Sequence, residues 1–300
     1  MFEGSCVALV TPFKDGLVDD KKLAELVEFQ IAGGTAAIVP CGTTGESATL
    51  SHKEHNEVVE KVISFARKRV KVIAGTGSNS TREAIELTRH AQAAGADGAL
   101  LITPYYNRPT QRGLVEHFRA IARAVDLPLV LYNVPSRTGV NMLPPAIIEL
   151  ARSEKNIVGV KEASGSVDQT TEIIEALPET FTVLSGDDSL TLPLMAVGAR
   201  GVISVLANLI PKDVAALCAA WKKGDAAEAR RLHLKMYPLA RAMFTETNPI
   251  PVKTAMGWLE LCSAEMRLPL VAMEKANAEK VETALRAYGL IGPRRKHAGC

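Results

Sequence analysis

Lys161 closes an otherwise apolar segment, Ile157-Val158-Gly159-Val160-Lys161, and a lone ammonium is costly to bury without a partner. Withdrawn from water, a lysine favours the neutral amine, the nucleophile that attacks a carbonyl to form an imine. Pairing with a carboxylate in a structural network is the other reading of the same position. Tyr132 ends the preceding apolar run, in Leu131-Tyr132-Asn133-Val134-Pro135. A phenol there either passes protons during imine formation or packs in a core or interface. Gly42-Thr43-Thr44-Gly45-Glu46 offers two hydroxyls and glycine-freed amides that can hold a carboxylate.

Other polar positions admit more than one role. Arg137, in Pro135-Ser136-Arg137-Thr138-Gly139, can take a carboxylate bidentately or sit at the surface. Tyr105 and Tyr106 end a fourth apolar run and suit proton transfer or an aromatic contact across a subunit boundary. Asp187 and Asp188 follow Gly186 with no histidine near in sequence, a pattern of helix-starting acids more than of a metal pair. His52 and His55 share one helix face without making H-E-x-x-H, so zinc is not expected. Gly75-Thr76-Gly77-Ser78 lacks a third glycine and no G-x-x-x-x-G-K-[ST] occurs. Neither a metal nor a nucleotide cofactor is expected.

Such side chains need a scaffold. Eight short β-branched runs, at 5–13, 36–42, 71–77, 98–106, 128–135, 157–164, 182–188 and 201–208, recur at the spacing of a strand plus a helix. They are nearly continuous in apolar residues, as in strands covered on both faces. Ser51 with Glu54, and Ser80 with Glu83, fit the capping box that starts a helix, and Gly95 fits a helix stop. Eight alternating units without a G-x-G-x-x-G after the first strand favour a closed (β/α)8 TIM barrel over an open doubly wound sheet. The chain then stays helical. The expected organisation is a catalytic barrel over 1–224, a C-terminal helical extension over 225–292 and a solvated tail over 293–300. In a barrel the active site forms at the C-terminal strand ends, which favours Lys161 over Lys71, the residue that opens its strand.

Composition bounds the partners. Thirty-five basic against 33 acidic residues, a net charge of +2, call for neither nucleic acid nor an anionic membrane. No apolar stretch approaches the roughly 18 residues of a membrane span. The first fifteen residues lack the basic start of a signal peptide. Five scattered cysteines without a C-x-x-C pair fit a reducing, cytoplasmic setting.

Together the motifs GTTGESATL (42–50), AGTGSN (74–79), TPYYNRP (103–109), LYNVPSRTG (131–139), GVKEASG (159–165), LSGDD (184–188), GVISV (201–205) and NPIPVK (248–253) resemble the pyruvate-dependent Schiff-base aldolases and lyases. Among these they are most similar to the 4-hydroxy-tetrahydrodipicolinate (dihydrodipicolinate) synthases, in order and over the chain to about residue 292. The resemblance implies condensation of pyruvate with L-aspartate 4-semialdehyde, the first committed step of lysine and diaminopimelate biosynthesis, without a cofactor. It implies that Lys161 forms the imine and that Thr43, Tyr132 and Tyr106 relay protons, Tyr106 from an adjacent subunit of a homotetramer built as a dimer of dimers. It assigns Thr44, Gly186 and Ile203 to the pyruvate side and Arg137 to the carboxylate of the semialdehyde. It further implies feedback inhibition by L-lysine at a cleft formed by Ser47, Ala48, His52, His55, Asn79, Glu83 and Tyr105. The rival within the superfamily is a sugar-acid aldolase, such as an N-acetylneuraminate lyase or a keto-deoxy-gluconate aldolase. Arg137 speaks against it, and the intact lysine, tyrosine and threonine positions speak against a catalytically idle barrel.

Overall fold

The structure, a computed structural model, describes residues 1–292; the expected solvated tail, 293–300, lies outside the described residues. Eight parallel strands close into one barrel: β1 (Gly4–Ala8), β2 (Ala37–Val39), β3 (Lys71–Gly75), β4 (Gly98–Ile102), β5 (Leu129–Asn133), β6 (Ile157–Glu162), β7 (Thr182–Ser185) and β8 (Gly201–Ser204). All but β1, which starts one residue ahead at Gly4, begin within an expected run, and each strand is shorter than its run, because only the stretch that ladders to its neighbours keeps strand geometry. The first run leaves the barrel after Ala8 and turns through a small antiparallel pairing of Phe13–Lys14 with Leu17–Val18. The fourth run ends its strand at Ile102, so Tyr105 and Tyr106 belong to the following loop rather than to a strand end.

Helices α1 (Asp20–Ala32), α2 (His52–Ala66), α3 (Thr81–Ala94), α4 (Gln111–Ala122), α5 (Pro144–Ser153), α6 (Val167–Ala176), α7 (Thr191–Ala196) and α8 (Pro211–Lys222) follow the strands in turn. Beyond them run α9 (Ala226–Ala242), α10 (Ile250–Trp258) and α11 (Lys275–Tyr288). No helix among the described residues is long and apolar enough to cross a membrane.

Local chemistry explains the starts and stops. Ser51 and Glu54 form the full capping box of α2, Glu54 N donating to Ser51 Oγ at 3.2 Å and Ser51 N to Glu54 Oε2 at 2.9 Å, a device of about 1 kcal/mol. The box expected at α3 is only half made. Ser80 Oγ accepts from Glu83 N at 3.5 Å, but the Glu83 carboxylate turns away to Ser78 Oγ and His52 Nε2. Two hydroxyl and imidazole partners outbid one backbone amide. Gly95 ends α3 with φ +89°, the left-handed region a glycine enters without strain.

Candidate active site

Strand pairing places the two chemical side chains side by side. In the β5–β6 ladder Tyr132 lies opposite Lys161, and Asn133 opposite Glu162. Successive residues of a strand face opposite ways, so Tyr132 and Lys161 share the barrel interior while Asn133 and Glu162 share the helix side. There Glu162 accepts from Asn133 Nδ2 at 3.2 Å, Gln169 Nε2 at 3.1 Å and Ser164 N at 2.6 Å. This buried network ties β5, β6 and α6 together behind the reacting face.

Lys161 is 5 % exposed, and its Nζ stands 4.2 Å from the centre of the Tyr132 ring. Among the described residues no carboxylate lies within ion-pair distance of it. The structural-network reading of Lys161 therefore fails: the amine faces a cavity and the phenol's ring. Gly186 makes room for it. A Cβ at Gly186 would lie 3.1 Å from Lys161 Cε and 2.6 Å from Ala163 Cβ, so a larger residue would press on the lysine stem.

The cavity above Lys161 has a volume of about 530 Å³ and includes Thr43, Thr44, Tyr132, Arg137 and Gly186 in its wall, groups drawn from β2, β5, β6 and β7 ends. Arg137 sits on the one-turn helix Pro135–Thr138. Its guanidinium donates to the Asn248 carbonyl at 2.9 Å, a bond that ties it to the C-terminal extension. Ile203 is fully buried in the layer beneath, packed with Tyr132 and Leu184, and does not line the cavity. Tyr106 is 91 % exposed at φ +71° and stays outside the cavity of its own chain.

Asp187 and Asp188 hold the β7–β8 end together. Asp187 caps a turn through Ser189 N at 2.8 Å. Asp188 accepts from Ser204 Oγ at 2.5 Å, Val205 N at 2.9 Å and Leu206 N at 3.0 Å, while burial pushes its carboxyl upward. Among the described residues no group of acids, histidines and cysteines is arranged to hold a metal ion.

A second cavity of about 500 Å³ shares Thr43, Tyr132 and Arg137 with the first. Ser47, Ala48, His52, His55, Glu83 and Tyr105 line it; Asn79 lies just outside, its Nδ2 donating to the Tyr105 carbonyl at 3.2 Å. Hydrogen bonds from Ser78 first, then from His52, hold the Glu83 carboxyl below its ordinary range, so it stays anionic. Burial lowers His55, which remains neutral with Nε2 on the Gly75 carbonyl at 2.8 Å.

The C-terminal extension contributes residues to this cavity that no local sequence pattern announces. Phe244, Glu246, Thr247 and Asn248 line the cavity above Lys161. Asn248 Nδ2 donates to Thr44 Oγ1 at 2.9 Å. The motif NPIPVK was visible, but nothing local in it says which strand end it covers.

The Dihydrodipicolinate synthetase family model matches residues 1–288. The chain is 60% identical over 291 residues to the 4-hydroxy-tetrahydrodipicolinate synthase of Geobacter sulfurreducens, covering 97% of this chain and all of that protein. It superposes with a TM-score of 0.95 on the dihydrodipicolinate synthase of Acinetobacter baumannii, solved in complex with pyruvate, at 49% identity over 97% of this chain and 100% of that one. A TM-score of 0.94 relates it to the enzyme of Cyanidioschyzon merolae, solved with lysine bound, at 42% identity over 97% and 99% of the two chains. The chain belongs to the dihydrodipicolinate synthetase family and is an enzyme of the lyase class.

Proposed function

We propose that this enzyme condenses pyruvate with L-aspartate 4-semialdehyde to give 4-hydroxy-tetrahydrodipicolinate. The observation that carries the reading is Lys161: buried, without an acid partner among the described residues, against Tyr132, in a cavity that Arg137 also lines. The Lys161 amine attacks C2 of pyruvate and water leaves, forming the imine. The protonated imine nitrogen then draws electrons as a methyl proton leaves, and the resulting enamine adds through its carbon to the aldehyde. The amino group of the semialdehyde attacks C2, closing the ring and returning Lys161 as the free amine. One water is released overall, and no redox partner is needed.

Tyr132 is the proton carrier nearest the amine, with Thr43 on the same cavity wall. Thr44 and Gly186 border the pyruvate, Ile203 stays in the buried layer beneath, and Arg137 takes the carboxylate of the semialdehyde. The exposed, left-handed Tyr106 suits a proton carrier offered to a neighbouring subunit, and the assembly proposed is a homotetramer acting in the cytoplasm. Arg137 and the 60% identity to a named synthase favour this reading over a sugar-acid aldolase. The test is NADPH consumption when the protein is given pyruvate, the semialdehyde and the reductase acting on the product. The rate is expected to require both substrates; no rate from folded protein would refute the reading.

The second cavity carries the regulatory part of the proposal, feedback inhibition by L-lysine. An anionic Glu83 suits an ammonium, and a wall shared through Thr43, Tyr132 and Arg137 gives occupancy a route to the catalytic side. Millimolar L-lysine is expected to slow turnover; an unchanged rate would contradict this.

A further inference from the structure

Resting on the proposed substrates, we propose that Asn248 is a positioning residue that couples the two carboxylate-binding walls of the cavity. Its side-chain amide donates to Thr44 Oγ1 at 2.9 Å, and its main-chain carbonyl accepts from the Arg137 guanidinium at 2.9 Å. A hydroxyl has one proton to give. With Asn248 donating to its oxygen, Thr44 keeps that proton for another acceptor, and the acceptor the cavity is built to receive is the carboxylate of the keto acid. The same residue anchors Arg137 through its backbone, so one residue sets the span between the two substrate carboxylates.

A second observation separates this role from mere packing. Asn248 is 5 % exposed, and its Oδ1 is buried with no hydrogen-bond partner among the described residues. An amide retained for stability alone would be paired at both ends, because an orphaned buried acceptor costs stability. Its Nδ2 is committed to a group of the site instead. The link also spans the molecule: Asn248 precedes α10 in the C-terminal extension, and Thr44 follows β2.

The test is borohydride trapping of the pyruvate imine as pyruvate is varied, on the full chain carrying N248A, N248D, T44V and N248A/T44V. The pyruvate concentration giving half-maximal trapping is expected to rise about tenfold in N248A and at least as far in N248D, whose carboxylate would take the Thr44 proton. Because the backbone bond to Arg137 survives in both, KM for the aldehyde is expected to move far less than that for pyruvate. On the T44V background, N248A is expected to add less than twofold. Unchanged half-saturation in folded N248A and N248D, or losses that multiply in the double variant, would overturn the proposal. N248D, nearly isosteric, carries the comparison if the truncated variant does not fold. Wild-type protein that traps pyruvate but consumes no aldehyde would refute only the second substrate, whereas wild-type protein that traps no pyruvate would overturn both readings.

Discussion

Among the described residues two lysines are buried at the C-terminal end of this barrel, and their surroundings differ in two respects. Lys253, on α10, is wholly buried and paired: its Nζ meets Glu46 Oε1 and the Thr11 carbonyl at 2.6 and 3.0 Å, over the Phe13 ring. Burial pushes its amine downward, and Glu46 opposes that. Lys161 is nearly as buried and over an aromatic ring too, yet it has no carboxylate within reach among the described residues and opens on a cavity. Burial alone does not make a lysine a nucleophile. The missing acid and the space beside the amine suit Lys161 to the role proposed for it, while a matched acid makes Lys253 a strut for the Gly42–Glu46 loop.

The largest effect that can break this comparison is the loss of the amine itself. K161A is expected to lower the coupled rate by at least about 1,000-fold while leaving the thermal midpoint unchanged or higher, since the side chain removed is a buried polar group with no acid partner among the described residues. Truncating the other lysine should do the reverse. K253A leaves Glu46 buried and unpaired and is expected to cost about 3–5 kcal/mol in urea unfolding, whereas K253M/E46L should recover most of it. Y132F sharpens the contrast on the reacting side: turnover should fall about 100-fold, with stability nearly kept.

His117 supplies the smallest test. This buried base has no acid partner among the described residues; Nδ1 meets Thr81 Oγ1 at 2.9 Å, and burial lowers its pKa to about 4. Because the unfolded chain binds this proton near pH 6.5 and the folded one only near 4, stability is complete above 6.5 and falls through that window. The loss due to His117 should reach about 2 kcal/mol at pH 5. In H117Q that part of the slope should vanish, and an unchanged slope would refute the assignment.

Elements set by local pattern were legible beforehand. Apolar runs at β-α spacing mark the eight strands, Ser51 with Glu54 marks the start of α2, and the position of Lys161 at a strand end follows from the run that precedes it. Contacts made only by chain closure were not. Asn248 reaches Thr44 across 204 positions and Lys253 reaches Glu46 across 207, so no periodicity announces either pair. Glu83 shows the intermediate case: its capping motif is real, but a tertiary partner in His52 and a nearby hydroxyl in Ser78 compete successfully for the carboxylate. The tyrosines at 105 and 106 were misplaced onto a strand because apolar character continues past the last laddered residue.

The most direct test of the contrast between the two lysines is to reduce the protein with borohydride in the presence of pyruvate and map the modified residue by peptide mass. A single stoichiometric label on Lys161, absent without pyruvate, is expected. Label on Lys253 or any other lysine, with Lys161 unmodified, would contradict it.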